Sequence, residues 1–453
     1  MTKTFKIFSR YFVLVLSLLF CLFLTTRFSK DIEVSAQTPI EISTLEELYA
    51  IRDGLAGDYL LVKDLDFRND SHYENIANKA IWTTGEGWVP IGTASAPFTG
   101  TFDGSNHKIS HLFINRAAFN QGLFGSSSGT VRNLGLIDEN IRGSYSIGGL
   151  IGSNNGAVTN SYSTGEINAT GDNAGGLVGS NNGTITFSSS RGVVSGVDKI
   201  GGLVGNNSSD GRIDRSYSSG TVSATGGYAG GLTGQNFYGT IINSYSNGDV
   251  SGSSLVGGLV GDNFLGAITN SYSTGNISAG GESMGGLIGQ NQPGTVTHSY
   301  WDTQTAGVET SAGGTGKTTL EMKSLSTFDE GWDILGISNF DSSNPSTWYI
   351  DDGNDYPRLF WQYSPPPPVD PPPVDPPPVD PPPVIPPVTP TPTVDDTKDV
   401  AKEALPKTGV FANSLIIVTG VIILFFGLGV YKMPNQAFLF FGYRERFERK
   451  IRK

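Results

Sequence analysis

Four histidines, scattered carboxylates and one lysine inside a glycine run are the residues of this chain whose types could do chemistry, and their spacing argues against each use. His107-Lys108-Ile109-Ser110-His111 sets two imidazoles four residues apart, as in a helical zinc site, but lysine stands where the general-base glutamate belongs. The segment also reads as strand, where positions four apart lie about 13 Å from each other, too far to share an ion. Gly313-Gly314-Thr315-Gly316-Lys317-Thr318-Thr319 resembles a phosphate loop, yet that loop needs glycine five residues before Gly316 and the residue there is Ser311. It reads as a glycine-rich turn. Asp351, Asp352 and Asp355 offer hard oxygens, but no calcium-loop pattern surrounds them. The acidic positions Glu166, Asp198, Asp249 and Asp262 share no column of the repeat described below. Cys21 is the one cysteine, and His72 and His298 are the remaining histidines. No catalytic residue, metal ligand or cofactor is expected, and the net charge of −12 without a basic domain excludes a nucleic-acid partner.

The elements that position these residues are set by self-similarity. A Gly-Gly-Leu-x-Gly block begins at Gly148, Gly175, Gly201, Gly230, Gly257 and Gly285, and a variant starts at Gln121. The period is about 27 residues, with seven units in all. Glycine costs about 1 kcal/mol per helical position, and no 3.6-residue apolar stripe exists, so helices are excluded. Each unit holds too few apolar residues for a core of its own. Stacked units bury them in continuous ladders, which predicts an all-β parallel solenoid whose coils carry three short strands each. The ladders can be named. A β-branched column runs Val131, Val158, Ile185, Ile213, Ile241, Ile268, Val296. A tyrosine column runs Tyr162, Tyr217, Tyr245, Tyr272, Tyr300, with Gly135 and Ser189 as gaps. Between them Asn133, Asn160, Asn243 and Asn270 alternate with Phe187, Arg215 and His298. Glycines are expected to supply positive φ at the corners. The tyrosines read as a buried ladder; exposed, they would form a sugar-stacking strip.

These units resemble GLUG repeats, named for the Gly-Leu-x-Gly block and found in bacterial surface proteins, among them filamentous-haemagglutinin-like adhesins and proteins beside immunoglobulin A-cleaving metalloproteases. The flanks Phe98–Gly104 and Ser299–Thr303 share the resemblance, which spans about residues 80–330. It implies a right-handed parallel β-helix and a surface role, without naming a ligand.

The two ends read as addresses. Residues 1–36 form a signal peptide: Lys3, Lys6 and Arg10 precede the apolar run Tyr11–Leu24, and Val34-Ser35-Ala36 predicts cleavage between Ala36 and Gln37. Residues 37–120 comprise an N-terminal cap and first coils, 121–300 the seven repeats, and 301–363 a C-terminal cap rich in aromatics. Thr44 and Glu47 form a capping box before Leu45, Leu48 and Ile51. Residues 364–404 are a proline-rich stalk, predicted as an extended polyproline spacer. Leu405, Pro406, Lys407, Thr408 and Gly409 precede the uncharged run Val410–Tyr431, long enough for a transmembrane helix, and residues 432–453 form a basic cytoplasmic tail. That order resembles the sorting signal of Gram-positive wall-anchored proteins. It implies that a sortase cuts between Thr408 and Gly409 and joins the Thr408 carboxyl to peptidoglycan. The expected protein is therefore a wall-anchored, non-enzymatic surface protein, with a host or neighbouring-cell glycan or protein as ligand. A surface enzyme acting on glycans or host protein, and a purely structural wall protein, are the alternatives.

Overall fold

The computed structural model describes residues 38–68, 85–281, 283–343 and 345–363. The chain divides into two units, Met1–Pro372 and Pro373–Lys453, and every described residue belongs to the first. It is an all-β parallel solenoid of about seven coils of roughly 27 residues. The β-branched column stacks in register from Val131 to Val296, each residue paired with its counterpart in the next coil. Leu123, Leu150, Leu177, Leu203, Leu232, Leu259 and Leu287 are all fully buried in the lumen. At about 25 cal/mol per Å² of apolar surface, such columns supply the cohesion that a single coil lacks.

Each coil has five strand faces rather than the expected three. Taking the coil of Leu177, they are Val178–Asn181, Thr184–Thr186, Ser189–Ser190, Val193–Gly196 and Ile200–Gly201. The extra faces are only two residues long, so they carry no periodicity that a sequence could display.

The assignment of corners to glycine is corrected. Positive φ at the corners falls on Asn133, Asn160, Phe187, Arg215, Asn243, Asn270 and His298 in one column, and on Ser146, Asn173, Lys199, Tyr228 and Leu255 in another. Asparagine tolerates this region because its short amide can bond locally. Phenylalanine, tyrosine and leucine do not, and they hold it because the coils above and below impose the register. The glycines serve close approach instead. A Cβ at Gly220 would strike the carbonyl oxygen of Gly192 in the preceding coil, and the same contact recurs from Gly192 to Gly165 and from Gly248 to Gly220.

Both ends are covered. Leu45–Ala50 is a helix whose capping box is formed, Glu47 N–H donating to Thr44 Oγ1 at 3.2 Å. Leu45, Leu48 and Ile51 are buried against the first coils. The Tyr59–Phe67 run splits into strands Asp58–Leu61 and Leu65–Asp66. At the far end Thr315–Lys317 pairs with Tyr300–Asp302, and Thr318 N-caps a four-residue helix, Thr319–Met322. The glycine-lysine run is thus divided between a turn, a strand and a cap.

The aromatic segment after it does not close that end. Residues 319–363 run back along the outside of the solenoid as a strap with a small three-stranded sheet, Ile334–Gly336, Trp348–Ile350 and Arg358–Leu359. Outward-facing tyrosines need cover, and the strap supplies it.

Candidate functional site

Ala36, Gln37, the stalk, Leu405–Gly409 and the apolar run Val410–Tyr431 all lie outside the described residues. Among the described residues no helix is long and apolar enough to cross a membrane, and no three His, Cys, Asp or Glu side chains gather as a metal would require. His107 Nδ1 lies within hydrogen-bond distance of Asp64 at 3.0 Å and His111 Nδ1 of Asp66 at 2.8 Å, so the two imidazoles serve separate carboxylates. His298 stands in the corner column, its carbonyl accepting from Trp332 Nε1 at 2.8 Å. Three other places remain where polar or aromatic groups converge.

The first is the lumen. Asn154, Asn181, Asn207, Asn236, Asn263 and Asn291 form a ladder in which each Nδ2 donates to the next Oδ1 at 2.8 Å. Each from Asn181 onward also donates to a glycine carbonyl of its own turn at 3.1–3.2 Å. A serine column runs beside it. Ser161, Ser188, Ser216, Ser244, Ser271 and Ser299 each accept from a backbone N–H of the previous coil and donate to a carbonyl two residues back. The two ladders are therefore internally satisfied, whereas Ser190 Oγ, Ser218 Oγ and Thr233 Oγ1 are buried without a hydrogen-bond partner. Glu139 interrupts a glycine column. It stands in the column occupied above by Gly165, Gly192, Gly220, Gly248 and Gly275, is buried, and accepts from Ser163 Oγ, while its Oε2 has no partner.

Burial pushes the Glu139 carboxyl above the usual range, so the folded protein holds a proton that the unfolded chain releases. Stability from this group is complete below the ordinary carboxylate value and falls as pH rises toward the folded value. The slope across that window is at most about 1.4 kcal/mol per pH unit. Glu139→Gln is expected to flatten it. Urea midpoints of parent and variant measured across pH 4–8 check this, and parallel profiles would contradict the assignment.

The second place is the tyrosine column. Tyr217, Tyr245 and Tyr272 are buried and stack at centroid distances of 5.0 and 4.9 Å, with Tyr162 and Tyr300 half-buried. They lie outside the lumen, however. The inward residues of these strands are Ser218, Ser246 and Ser273, and the rings pack with Met322, Phe328, Trp332, Trp348, Ile350 and Leu359 of the strap. Tyr272 Oη donates to the Pro357 carbonyl at 2.6 Å, Gln362 Nε2 to Tyr245 Oη at 2.8 Å, and Trp361 Nε1 to the Arg215 carbonyl at 3.0 Å. Buried Asp302 anchors the strap's start, accepting from Tyr356 Oη and Thr319 Oγ1, both at 2.7 Å. Burial pushes the phenols of Tyr245 and Tyr272 well above their usual range. As a sugar strip this column is occupied by the chain itself.

The third is an exposed ridge between the first and second faces. Ser128, Asn155, Asn182, Ser208, Phe237, Phe264 and Gln292 succeed one another along it, coil by coil. Asn182 Nδ2 donates to Asn155 Oδ1 at 3.0 Å and Ser208 Oγ to Asn182 Oδ1 at 2.6 Å. Phe237 and Phe264 stack at 5.1 Å, and Tyr238 meets them edge-on at 4.7 and 5.9 Å. Phe237, Tyr238 and Leu265 expose 36%, 51% and 40% of their surface.

Residues 143–168, 200–223, 225–251 and 252–278 match the family described as the GLUG motif. The chain carries GLUG repeats. It is 36% identical over 121 residues to Halomucin of Haloquadratum walsbyi, a stretch that is 25% of this chain and 1% of that protein. It is 33% identical over 114 residues to a protein named as a Gly-rich membrane protein of Evansella cellulosilytica, covering 24% of this chain and 12% of that one. The matches thus span a small part of either relative. A crystal structure described as an immunoglobulin A1 protease from Bacteroides ovatus aligns with a TM-score of 0.48 at 21% identity, over 72% of this chain and 93% of that one. A second structure, named IgA1 Protease, aligns with a TM-score of 0.34 at 20% identity, over 60% and 22%.

Sequence reasoning missed the lumenal asparagine ladder and the ridge. The signal for the first was present: asparagine stands six residues after the first glycine of all six blocks, Asn154 through Asn291. The ridge is the position one residue further on, where polar and aromatic types alternate too freely to announce a column.

Proposed function

We propose that this is a surface protein that a sortase joins to the cell wall of a Gram-positive-type bacterium through Thr408, and that its GLUG solenoid is displayed on the proline stalk for adhesion or cell-surface contact. The carrying observation is the order of Leu405–Gly409, the uncharged run Val410–Tyr431 and the basic tail behind the solenoid. Because the lumen is lined by buried ladders, ligands meet the outside, where columns recur coil after coil and favour many weak contacts at once. The name of the Evansella relative, a membrane protein, agrees with a surface location. We read the coils as right-handed, the sense that parallel crossovers favour. The rod acts as a display and binding element rather than an enzyme: Glu166 and Asp249 fall on one column but three coils apart, and Asp198 and Asp262 stand on two others, so the four carboxylates make no shared acid–base pair.

The test is mass spectrometry of muramidase-released wall fragments. A peptide ending at Thr408 and carrying wall material is expected, and Thr408→Ala is expected to move the protein from the wall fraction to the membrane fraction. An intact Thr408–Gly409 bond in the mature protein would remove the anchoring claim.

A further inference from the structure

We infer that the ridge at Phe237, Tyr238, Phe264 and Leu265 binds an uncharged polysaccharide laid along the solenoid axis, the sugar faces against the rings and the hydroxyls against the amide–hydroxyl run Asn155, Asn182 and Ser208. The inference rests on the display reading and gives it a ligand class.

Four observations carry it. Large apolar side chains are clustered here in the open, on a protein whose other ladders are covered. Tyr238 and Leu265 hold φ of +59° and +53°, a costly region for bulky side chains, at the corner that Ser209 fills one coil earlier with φ of +56°. Asp210 is the only charged residue among the ridge positions 128, 155, 182, 208–210, 237–238, 264–265 and 292–293, so neither an anionic polymer nor an anionic lipid surface finds a cation there. The ridge backbone is already used: Ser209, Tyr238 and Leu265 N–H groups donate to the carbonyls of Phe237, Phe264 and Gln292 at 2.8–2.9 Å. An added peptide strand therefore has no free edge to pair with, and recognition falls to side chains. Rings beside amides and hydroxyls, without charge, match a neutral glycan: C–H faces for the first, hydroxyl groups for the second.

The experiment is affinity electrophoresis of the full chain in gels containing hydroxyethyl cellulose, laminarin or mannan, with polygalacturonate as the anionic control. At least one neutral polymer is expected to retard the protein, and Tyr238→Asn and the Phe237→Ala/Phe264→Ala pair are each expected to weaken retardation by about tenfold or more. Tyr238→Asn suits the left-handed corner, so loss of binding with an unchanged or higher melting temperature excludes misfolding as the cause. Phe119→Ala/Tyr145→Ala, which removes a second exposed aromatic pair 5.3 Å apart on another corner, is expected to bind as the parent does. Retardation by none of the neutral polymers, by polygalacturonate alone, or equally for parent and Tyr238→Asn overturns the inference. So does sedimentation in which the parent dimerises and the phenylalanine pair variant does not, since the ridge is then an interface between copies. Wall linkage at Thr408 is scored separately: a linked protein that binds none of the polymers loses this site but keeps its anchor, and an unlinked protein that binds does the reverse.

Discussion

Asn207→Ala is expected to be among the most destabilising single substitutions in the solenoid, on the order of 3–6 kcal/mol. Asn207 accepts from Asn181 Nδ2 and donates to Asn236 Oδ1 and the Gly211 carbonyl. Its removal leaves a donor and two acceptors without those bonds inside a lumen that water does not reach, and each such group costs about 1–3 kcal/mol. The ladder is also directional. Every amide points its N–H₂ toward the C-terminal coils, so a break at the middle uncouples two polarised halves. Asn291→Ala is the contrast. It ends the ladder, is half-exposed, and loses only the bond accepted from Asn263 and the one donated to the Gly294 carbonyl, where water can reach the groups left behind. A loss near 1 kcal/mol is expected there. In a stack whose stability is a sum over neighbouring coils, the central variant is also expected to unfold in two steps. Thermal melts followed by circular dichroism at both positions check this. Equal losses would mean that the ladder is not a coupled unit.

Trp348→Ala is expected to release the strap while leaving the coils folded. Trp348 is fully buried, packs against Trp332 at 4.8 Å, and covers Tyr245 and Tyr272 at 6.0 and 5.9 Å. Removing a buried tryptophan costs about 3–5 kcal/mol, and here that loss falls on a peripheral element rather than on the stack. Local opening then replaces global unfolding. Proteolysis within 319–363 is expected to accelerate by about two to three orders of magnitude, with far-ultraviolet circular dichroism nearly unchanged. The phenols offer a second readout. Burial and the neighbouring ring raise the Tyr245 and Tyr272 values in the closed form, so in the variant they are expected to ionise nearer the ordinary phenol range in an alkaline spectrophotometric titration. Loss of the coil signal in parallel with the strap would show that the two are one cooperative unit.

The registers of Val131–Val296 and Tyr162–Tyr300 were legible because self-similarity aligns residue types over seven units, and stacking is the only way such units bury leucine. Glycine's role was not. The residue type signals either a left-handed turn or a close approach, and only the positions of Gly192 and Gly220 beneath neighbouring carbonyls decide for the second. Phe187, Tyr228 and Leu255 at positive φ were equally hidden, since local propensity opposes what the stack enforces. The strap escaped for a different reason. Trp361 meets Arg215 across 146 residues, and a segment outside the repeat has no internal copy to reveal its partner. The tyrosine column was therefore legible as a buried ladder in the right register, while the segment that buries it was not. At the ridge, composition showed neither the exposure nor the open rings.

Because the strap doubles back, the described chain leaves the rod beside the third repeat, where Phe360 meets Phe187 at 6.0 Å and Trp361 lies on Tyr217 at 5.5 Å. A tug arriving through Tyr363 thus enters at the rod's waist and not at its tip. The aromatic contacts of 319–363 are then expected to peel before any coil feels the load, a mechanical fuse that lengthens under tension ahead of the repeats.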